Sequence, residues 1–310
     1  MNLNKLRYTF LCCVIPFIIK AQSLNDGIYM PKQSFCGGIM LMQDQFDNYW
    51  EGTTKRNNPN MGTMTMRSLG VMATYGLMDN LNIVATLPYI QTKASAGVLS
   101  GMSGLQDLTM GLKYKLLKIS DLSANIIVGG SIPTSNYVAA FPLAIGNQSK
   151  TAFGRIMLHY LNEKGWTATL QSTSTYRSNI KIDATNYYTD RNIFSNEVSM
   201  PNTANVSLRG GYYTHRVAAE AFVERNNTLG GFDIRRNDMM FPSNKMVSTR
   251  IGFTGFYRVK PLHDLQIVAN MAYTLSGRNV GQATSLALGF MMAFDWRKKT
   301  DEQKPSTPKY

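Results

Sequence analysis

The feature that most constrains the fold of this chain is a strict alternation of apolar and polar residues, repeated in about twelve runs. One run places Leu81, Ile83 and Ala85 on one parity, with Asn82 and Thr86 on the other. A period of two gives each run one apolar face and one polar face. Repeated along a chain without helical stretches between the runs, this pattern predicts a closed sheet that is apolar outside and polar inside.

The joints between the runs alternate in length. Short polar joints such as Met78-Asp79-Asn80 follow every second run, and the other joints are longer and rich in Asn, Ser and Thr. The predicted strands are residues 35–47, 61–77, 81–93, 105–118, 122–134, 151–163, 166–178, 201–214, 216–227, 246–260, 265–276 and 282–296. An even strand number with all short joints at one end predicts an all-β fold, a transmembrane antiparallel up-and-down β-barrel of about 12 strands.

Residues 1–21 have the layout of a signal peptide. Lys5 and Arg7 supply a positive start, and residues 10–19 supply an apolar stretch. A membrane anchor is the alternative, but the stretch is shorter than the ~20 residues needed to span a bilayer and contains Pro16. We therefore expect export, with a localisation in the outer membrane of a Gram-negative bacterium.

The exported part is expected to hold one barrel with two flanking segments. Residues 35–296 form the barrel, and residues 297–310 form a disordered periplasmic tail. Residues 22–34 are either a plug that folds up into the lumen or a simple periplasmic segment that leads into the first strand. The barrel contains one cysteine, Cys36, so no intramolecular disulfide is expected. The pattern calls for no cofactor and no metal.

The net charge of +13 does not indicate nucleic-acid binding, because the basic residues are scattered rather than clustered. The partners we expect are outer-membrane lipid, a small-molecule solute and the barrel-assembly machinery. The last of these follows from the terminal strand, whose apolar parity ends in Phe294 and Trp296.

Three segments carry a family resemblance. They are YGLMDNL at residues 75–81, the stretch from Gly104 to Leu117, and VGGSIPT at residues 128–134. They resemble the motifs of the outer-membrane β-barrel transporter family of the meta-pathway of phenol degradation, although Gln106 stands where the pattern usually has glycine. The resemblance implies a porin-like transport barrel, similar in a general way to fatty-acid and aromatic-hydrocarbon channels. The leader and the Asn-rich loops suit a Bacteroidetes-type source.

Strand parity predicts which side chains face the lumen. Glutamates between arginines either brace a wet interior or select solutes by charge, because an unpaired charge beside an apolar wall is costly. We expect Glu220 near Arg209, and Glu224 below Arg250. Aromatic side chains among the charges would suit a partly apolar solute. The candidate lumen and selectivity residues are Lys113, Lys115, Arg155, Arg209, Glu220, Glu224, Arg250, Arg258, Phe222 and Phe256.

The function that these features favour is a channel for passive transport of small, hydrophobic or aromatic solutes. The alternative is a structural or adhesive surface protein that acts through its external loops. A membrane-embedded hydrolase requires a histidine beside a serine at the external rim. His215 and His263 lie in short turns and His159 lies near the periplasmic end of its strand, so we expect no enzyme activity.

Overall fold

The computed structural model describes residues 23–236, 238–259 and 265–296. The predicted signal peptide, residues 1–21, and the predicted tail, residues 297–310, lie outside the described residues. In the part of the chain that the structure describes, no helix has the length and apolarity to cross a membrane.

Twelve long antiparallel strands form the wall of the molecule. They are β1 (Ser34–Phe46), β2 (Met64–Met78), β3 (Leu81–Ala94), β4 (Asp107–Ile119), β5 (Leu122–Pro133), β6 (Thr151–Leu161), β7 (Trp166–Arg177), β8 (Thr203–Tyr213), β9 (Val217–Thr228), β10 (Val247–Val259), β11 (Leu265–Arg278) and β12 (Thr284–Asp295). Each strand pairs with its neighbours in sequence, and β1 pairs with β12 from Ser34↔Asp295 to Gln45↔Thr284. The sheet is therefore a closed barrel, which confirms the predicted twelve-stranded fold.

The joints divide the barrel into two distinct ends. At the turn end, short joints such as residues 79–80 and 120–121 connect the strands, and Ser120 takes the left-handed conformation with φ of 52°. At the loop end, longer joints carry short strand pairs of their own, such as Asn48–Glu51 with Thr54–Asn57. This distribution matches the alternation of joint lengths in the sequence.

The strand predicted as residues 105–118 is interrupted. The structure has a short strand, Ser103–Leu105, which pairs with Tyr89–Gln91, and β4 then begins at Asp107. Pro88 lies opposite the break and lacks a backbone N–H, so the ladder cannot continue through it. Gln106, which lies between the two pieces, donates its N–H to the carbonyl of Pro88 at 2.9 Å.

The two faces of the wall differ in chemistry as the alternation predicts. Outward side chains are apolar, and ring pairs such as Trp166 and Tyr212, with centroids 5.2 Å apart, lie near the turn end. Inward side chains are mostly polar and shielded from the outside. Buried polar residues on the inner face include Asn82, Asn125, Thr169, Gln171 and Ser207. The candidate functional site is this polar interior.

Candidate functional site: the barrel lumen

The N-terminal segment, residues 23–33, runs into the lumen from the turn end. Its anchor on the wall is Lys113 of β4, whose side chain is fully buried. The Nζ of Lys113 donates to the carboxylate of Asp26 at 2.9 Å, to the carbonyl of Ile28 at 2.8 Å and to the carbonyl of Ser23 at 3.1 Å. All three protons of the ammonium are thereby used, so the buried charge is both paired and hydrogen-bonded.

A second anchor holds the deeper part of the segment. The Nη1 of Arg155 on β6 donates to the carbonyl of Leu24 at 2.6 Å and to Oδ1 of Asn25 at 2.5 Å. Gly27 lies against the ring of His159, and a Cβ added at Gly27 would overlap that ring. Residues 24–27 therefore pack closely against β6, from Arg155 in the middle of the strand to His159 near the turn end.

The ring of Tyr29 brings a third cationic side chain, Lys115, into contact with the segment. Its ring centroid lies 4.9 Å from Nζ of Lys113 and 4.4 Å from Nζ of Lys115, both within cation–π range. Burial, reinforced by the Asp26 carboxylate, raises the pKa of Tyr29 above its ordinary value. Met30 packs with Cys36, Val268 and Met291 in an apolar cluster at the turn end.

The opposite wall carries a ladder of charged side chains. Glu224 on β9 is the register partner of Arg250 on β10, and the two side chains form an ion pair at 3.5 Å. Arg250 also lies 4.0 Å from Asp44 on β1, and Ser285 donates a hydrogen bond to that carboxylate. The expectation that Glu224 lies below Arg250 is wrong, because the register places them directly opposite each other.

A second ion pair lies closer to the turn end. Arg209 on β8 lies 4.0 Å from Glu220 on β9 and stacks over the ring of Phe222 at 4.7 Å. Tyr213 donates a hydrogen bond to Glu220 and lies against Phe256, with ring centroids 6.4 Å apart. Charged and aromatic side chains therefore alternate along this part of the lumen.

The ladder and the N-terminal segment enclose a cavity of about 320 Å³. Its charged lining residues are Arg209, Glu220, Glu224, Arg250 and Asp44. Its apolar lining residues are Met40, Met42, Met72, Phe222, Phe256, Val268 and Met291, and several of them lie on the same strands as the charged residues. The floor is formed by Ser23, Asn25 and Asp26 of the segment. An amphipathic molecule would find both charged and apolar partners in this lining.

All ten candidate residues lie on inward-facing positions, but they form two groups. Lys113, Lys115 and Arg155 hold the N-terminal segment, whereas Arg209, Glu220, Phe222, Glu224 and Arg250 line the cavity with Phe256. Arg258 lies below them, in a pocket of about 40 Å³ at the turn end that also contains Asp26 and Tyr213. Three important residues were not among the candidates, namely Asp26, Asp44 and Tyr213.

Two features bear on catalysis and metal binding. His159 faces the lumen, with its Nδ1 2.8 Å from Oγ1 of Thr169, and His263 lies outside the described residues. His215 lies in the turn between β8 and β9. In residues 23–236, 238–259 and 265–296, no group of three or more His, Cys, Asp and Glu side chains is arranged to hold a metal ion.

Solved structures with a similar fold include a channel and an autotransporter domain. The chain is similar to an outer membrane channel from Pseudomonas putida F1, with a TM-score of 0.69, 16% identity, and coverage of 88% of this chain and 100% of that one. A looser likeness, with a TM-score of 0.49 and 12% identity, is to the translocator domain of the autotransporter NalP from Neisseria meningitidis, covering 87% of this chain and 90% of that one. The first likeness supports the barrel fold.

No curated protein sequence matches this chain. A family model does match, over residues 67–290, which runs from β2 to β12 and includes every wall residue of the ionic ladder except Asp44. The match agrees with the resemblance seen in the motifs between residues 75 and 134. Because the model spans most of the chain, this protein belongs to the family described as MetA-pathway of phenol degradation.

Proposed function

We propose that this protein is an outer-membrane channel of a Gram-negative bacterium that admits small, partly apolar solutes by passive transport. In this proposal the turn end faces the periplasm and the loop end faces the outside. Lipid surrounds the apolar outer face, and the barrel-assembly machinery inserts the chain by way of its aromatic terminal strand. The solute class is an aromatic or aliphatic molecule with an anionic or hydroxyl end.

The single observation that carries this proposal is the mixed charged and apolar lining of the cavity. Its apolar side chains, such as Met40, Met72 and Phe222, can hold a hydrocarbon or ring without the loss of hydrogen bonds. Its charged side chains include the guanidinium groups of Arg209 and Arg250, which suit a carboxylate or hydroxyl oxygen. A water-filled general pore would need no methionine cluster, and a purely structural barrel core would need no cavity.

In this proposal the N-terminal segment closes the channel. Residues 23–30 occupy the lumen between the cavity and the turn end, held by Lys113 and Arg155. A solute that reaches the cavity from the loop end leaves to the periplasm only when this segment shifts. We therefore expect saturable transport at a low rate, with no energy source, because a solute and the segment compete for space beside Asp26.

Solute uptake into liposomes tests the proposal. Liposomes that contain the protein should take up benzoate and short-chain fatty acids faster than empty liposomes, and uptake should saturate. Phe222→Ala should slow the uptake because it removes apolar contact and the stacking partner of Arg209. Phe194→Ala is the matched control, since Phe194 is 85% exposed in a loop. Uptake equal to that of empty liposomes for all of these solutes would contradict the channel proposal.

One observation favours a surface protein as the second candidate. The loops are ordered by a hydrophobic cluster of their own, in which Ala139, Ile180, Ile182, Val198 and Met200 are buried. Ordered loops are able to present a fixed surface to a partner outside the cell. Replacement of residues 183–195 by a short Gly-Ser linker separates the two functions. Uptake should persist in the channel case, whereas cell-surface adhesion should be lost in the other.

A further inference from the structure

The outer face of the barrel is not evenly convex. A groove of about 610 Å³ crosses the outside of β10, β11, β12 and β1 and ends at β2. Its outward-facing sides are formed by Leu41, Phe253, Met271, Leu286 and Leu288. Two small residues, Gly255 and Ala269, leave the space between these larger side chains.

The end of the groove at β2 is basic. Arg67 faces outward, is exposed, and its Nε donates to Oε1 of Gln43 at 2.9 Å, which fixes the guanidinium at the groove end. Gln91 is the register partner of Arg67 on β3, and Lys93 follows it on the same face. Among the described residues neither Arg67 nor Lys93 has a carboxylate within ion-pair distance. The outer face therefore carries a fixed, uncompensated positive charge at the end of the apolar groove.

An unpaired positive charge beside an apolar groove is destabilising in a membrane unless an anion binds to it. An arginine on the lipid-facing side is destabilising near the middle of the bilayer and tolerated near the headgroups. Arg67 lies three residues from the loop end of β2, at the level where headgroups are expected. A phosphate there would accept charge-assisted hydrogen bonds from the guanidinium, and an attached acyl chain would follow the groove.

We propose that this groove binds one molecule of lipid A, with a phosphate on Arg67 and Lys93 and an acyl chain over Gly255 and Ala269. The choice of lipid rests on the proposed outer-membrane location, in which the loop end reaches the outer leaflet, where the phosphate-bearing lipid is lipid A. The site is separate from the lumen, so lipid binding does not require that the channel conducts.

A larger side chain at Gly255 is expected to block the groove. A Cβ added at Gly255 meets nothing nearer than the carbonyl oxygen of Ala218 at 4.0 Å, so Gly255→Leu fills the groove without disturbing the wall. Gly154 on the outer face of β6 has nothing within 4 Å of an added Cβ. Gly154→Leu is therefore the matched control for bulk, and Arg225→Gln is the matched control for charge, since Arg225 is an exposed outward arginine on β9.

Native mass spectrometry of the delipidated, detergent-solubilised protein tests the site, with added lipid A as the probe and phosphatidylglycerol and phosphatidylcholine as comparisons. We expect one retained lipid A, and about tenfold weaker retention in Gly255→Leu and in the Arg67→Gln, Lys93→Gln double variant. Gly154→Leu and Arg225→Gln should bind as the unaltered protein does.

Three results would overturn the proposal. They are equal retention in Gly255→Leu and Gly154→Leu, equal retention in the double variant and Arg225→Gln, and retention of phosphatidylglycerol as strong as that of lipid A. Solute uptake is measured in liposomes of phospholipid alone, so a failed lipid site and a failed channel are distinguishable. The difference in electrophoretic mobility between heated and unheated samples confirms that each variant is a folded barrel before its lipid retention is compared.

Discussion

The Nζ of Lys113, buried in the barrel wall, lies 2.9 Å from the carboxylate of Asp26, which belongs to the segment inside the lumen. One partner is fixed to β4 and the other to a chain without regular structure. The ion pair therefore ties the segment to the wall, together with the hydrogen bonds from Arg155. The wall residue has no exposure to solvent as long as the segment is bound.

The first prediction concerns this ion pair between Lys113 and Asp26. Asp26→Asn leaves the Lys113 ammonium buried without an ionic partner, a situation that costs about 3–5 kcal/mol. Departure of the segment lets water reach Lys113 and relieves that cost, so we expect higher single-channel conductance in planar bilayers. Asp47→Asn, which removes an exposed carboxylate at the loop end, should leave conductance unchanged. Identical conductance in the two variants would show that Asp26 does not hold the segment closed.

The second prediction concerns ion selectivity. Glu224→Gln removes a carboxylate that lies 3.5 Å from Arg250, so the cavity becomes more positive by one charge. A unit charge near the ion path in water contributes about 1 kcal/mol, which corresponds to about fivefold in the ratio of anion to cation permeability. Reversal potentials across a potassium chloride gradient measure this ratio. Glu197→Gln, in an external loop, should not move it, and an unmoved potential in Glu224→Gln would exclude the cavity from the ion path.

The third prediction concerns the membrane-facing surface. Ile156 is 65% exposed in the middle of β6, and Ala152 faces the same way near the loop end of that strand. Ile156→Arg should lower the free energy of unfolding in lipid by about 2–4 kcal/mol, whereas Ala152→Arg should lower it by about 0–1 kcal/mol. Guanidinium titration of the protein in liposomes provides both values. Equal losses at the two positions would contradict the depth of β6 in the bilayer.

The fourth prediction concerns the pH response of the loop end. Arg278 donates to both carboxylate oxygens of Asp233, at 2.7 and 2.5 Å, and Asn279 donates to one of them. These hydrogen bonds, the one from Arg278 foremost, hold the pKa of Asp233 below its ordinary value. Since the folded pKa is the lower one, the stabilisation is complete above the unfolded value of about 3.9 and is lost as the pH falls through the folded value.

Hydrogen exchange in residues 229–246, corrected for the intrinsic rate, measures this response. Protection should stay constant between pH 7 and 5 and fall below about pH 4. Asp233→Asn should show lower protection that no longer depends on pH over this range. Asp238→Asn is the control in the same loop, since Asp238 is exposed and pairs with Arg235 at 3.3 Å, and it should retain the response.

The strands were predictable from sequence because their two faces meet opposite environments, which forces the alternation. The prediction of a continuous strand over residues 105–118 failed only at Gln106, opposite Pro88 on a neighbouring strand, whose missing N–H is a non-local effect. Parity identifies which side chains face inward but does not fix their register across strands. For this reason Glu224 was expected below Arg250 although the two residues are opposite each other.

Asp44 and Asp26 were not predicted as site residues because neither lies in a clear alternating pattern. Asp44 sits between Gln43 and Gln45, so three polar residues in a row hide the parity of β1, although Met40 and Met42 point to the same face. Asp26 belongs to a segment without periodicity, where no pattern predicts a contact with Lys113. Only the folded barrel brings such distant residues together.

The seam between β1 and β12 has a consequence for how the protein is made. Across it, Ser285 hydrogen-bonds to Asp44, a residue 241 positions earlier in the chain. Until that last strand is synthesised, the sheet keeps two free edges whose backbone groups have no partner in lipid. Closure of the barrel therefore has to wait for the last strand. Loss of the final strand should abolish biogenesis altogether, while extra residues in an external loop should do little harm.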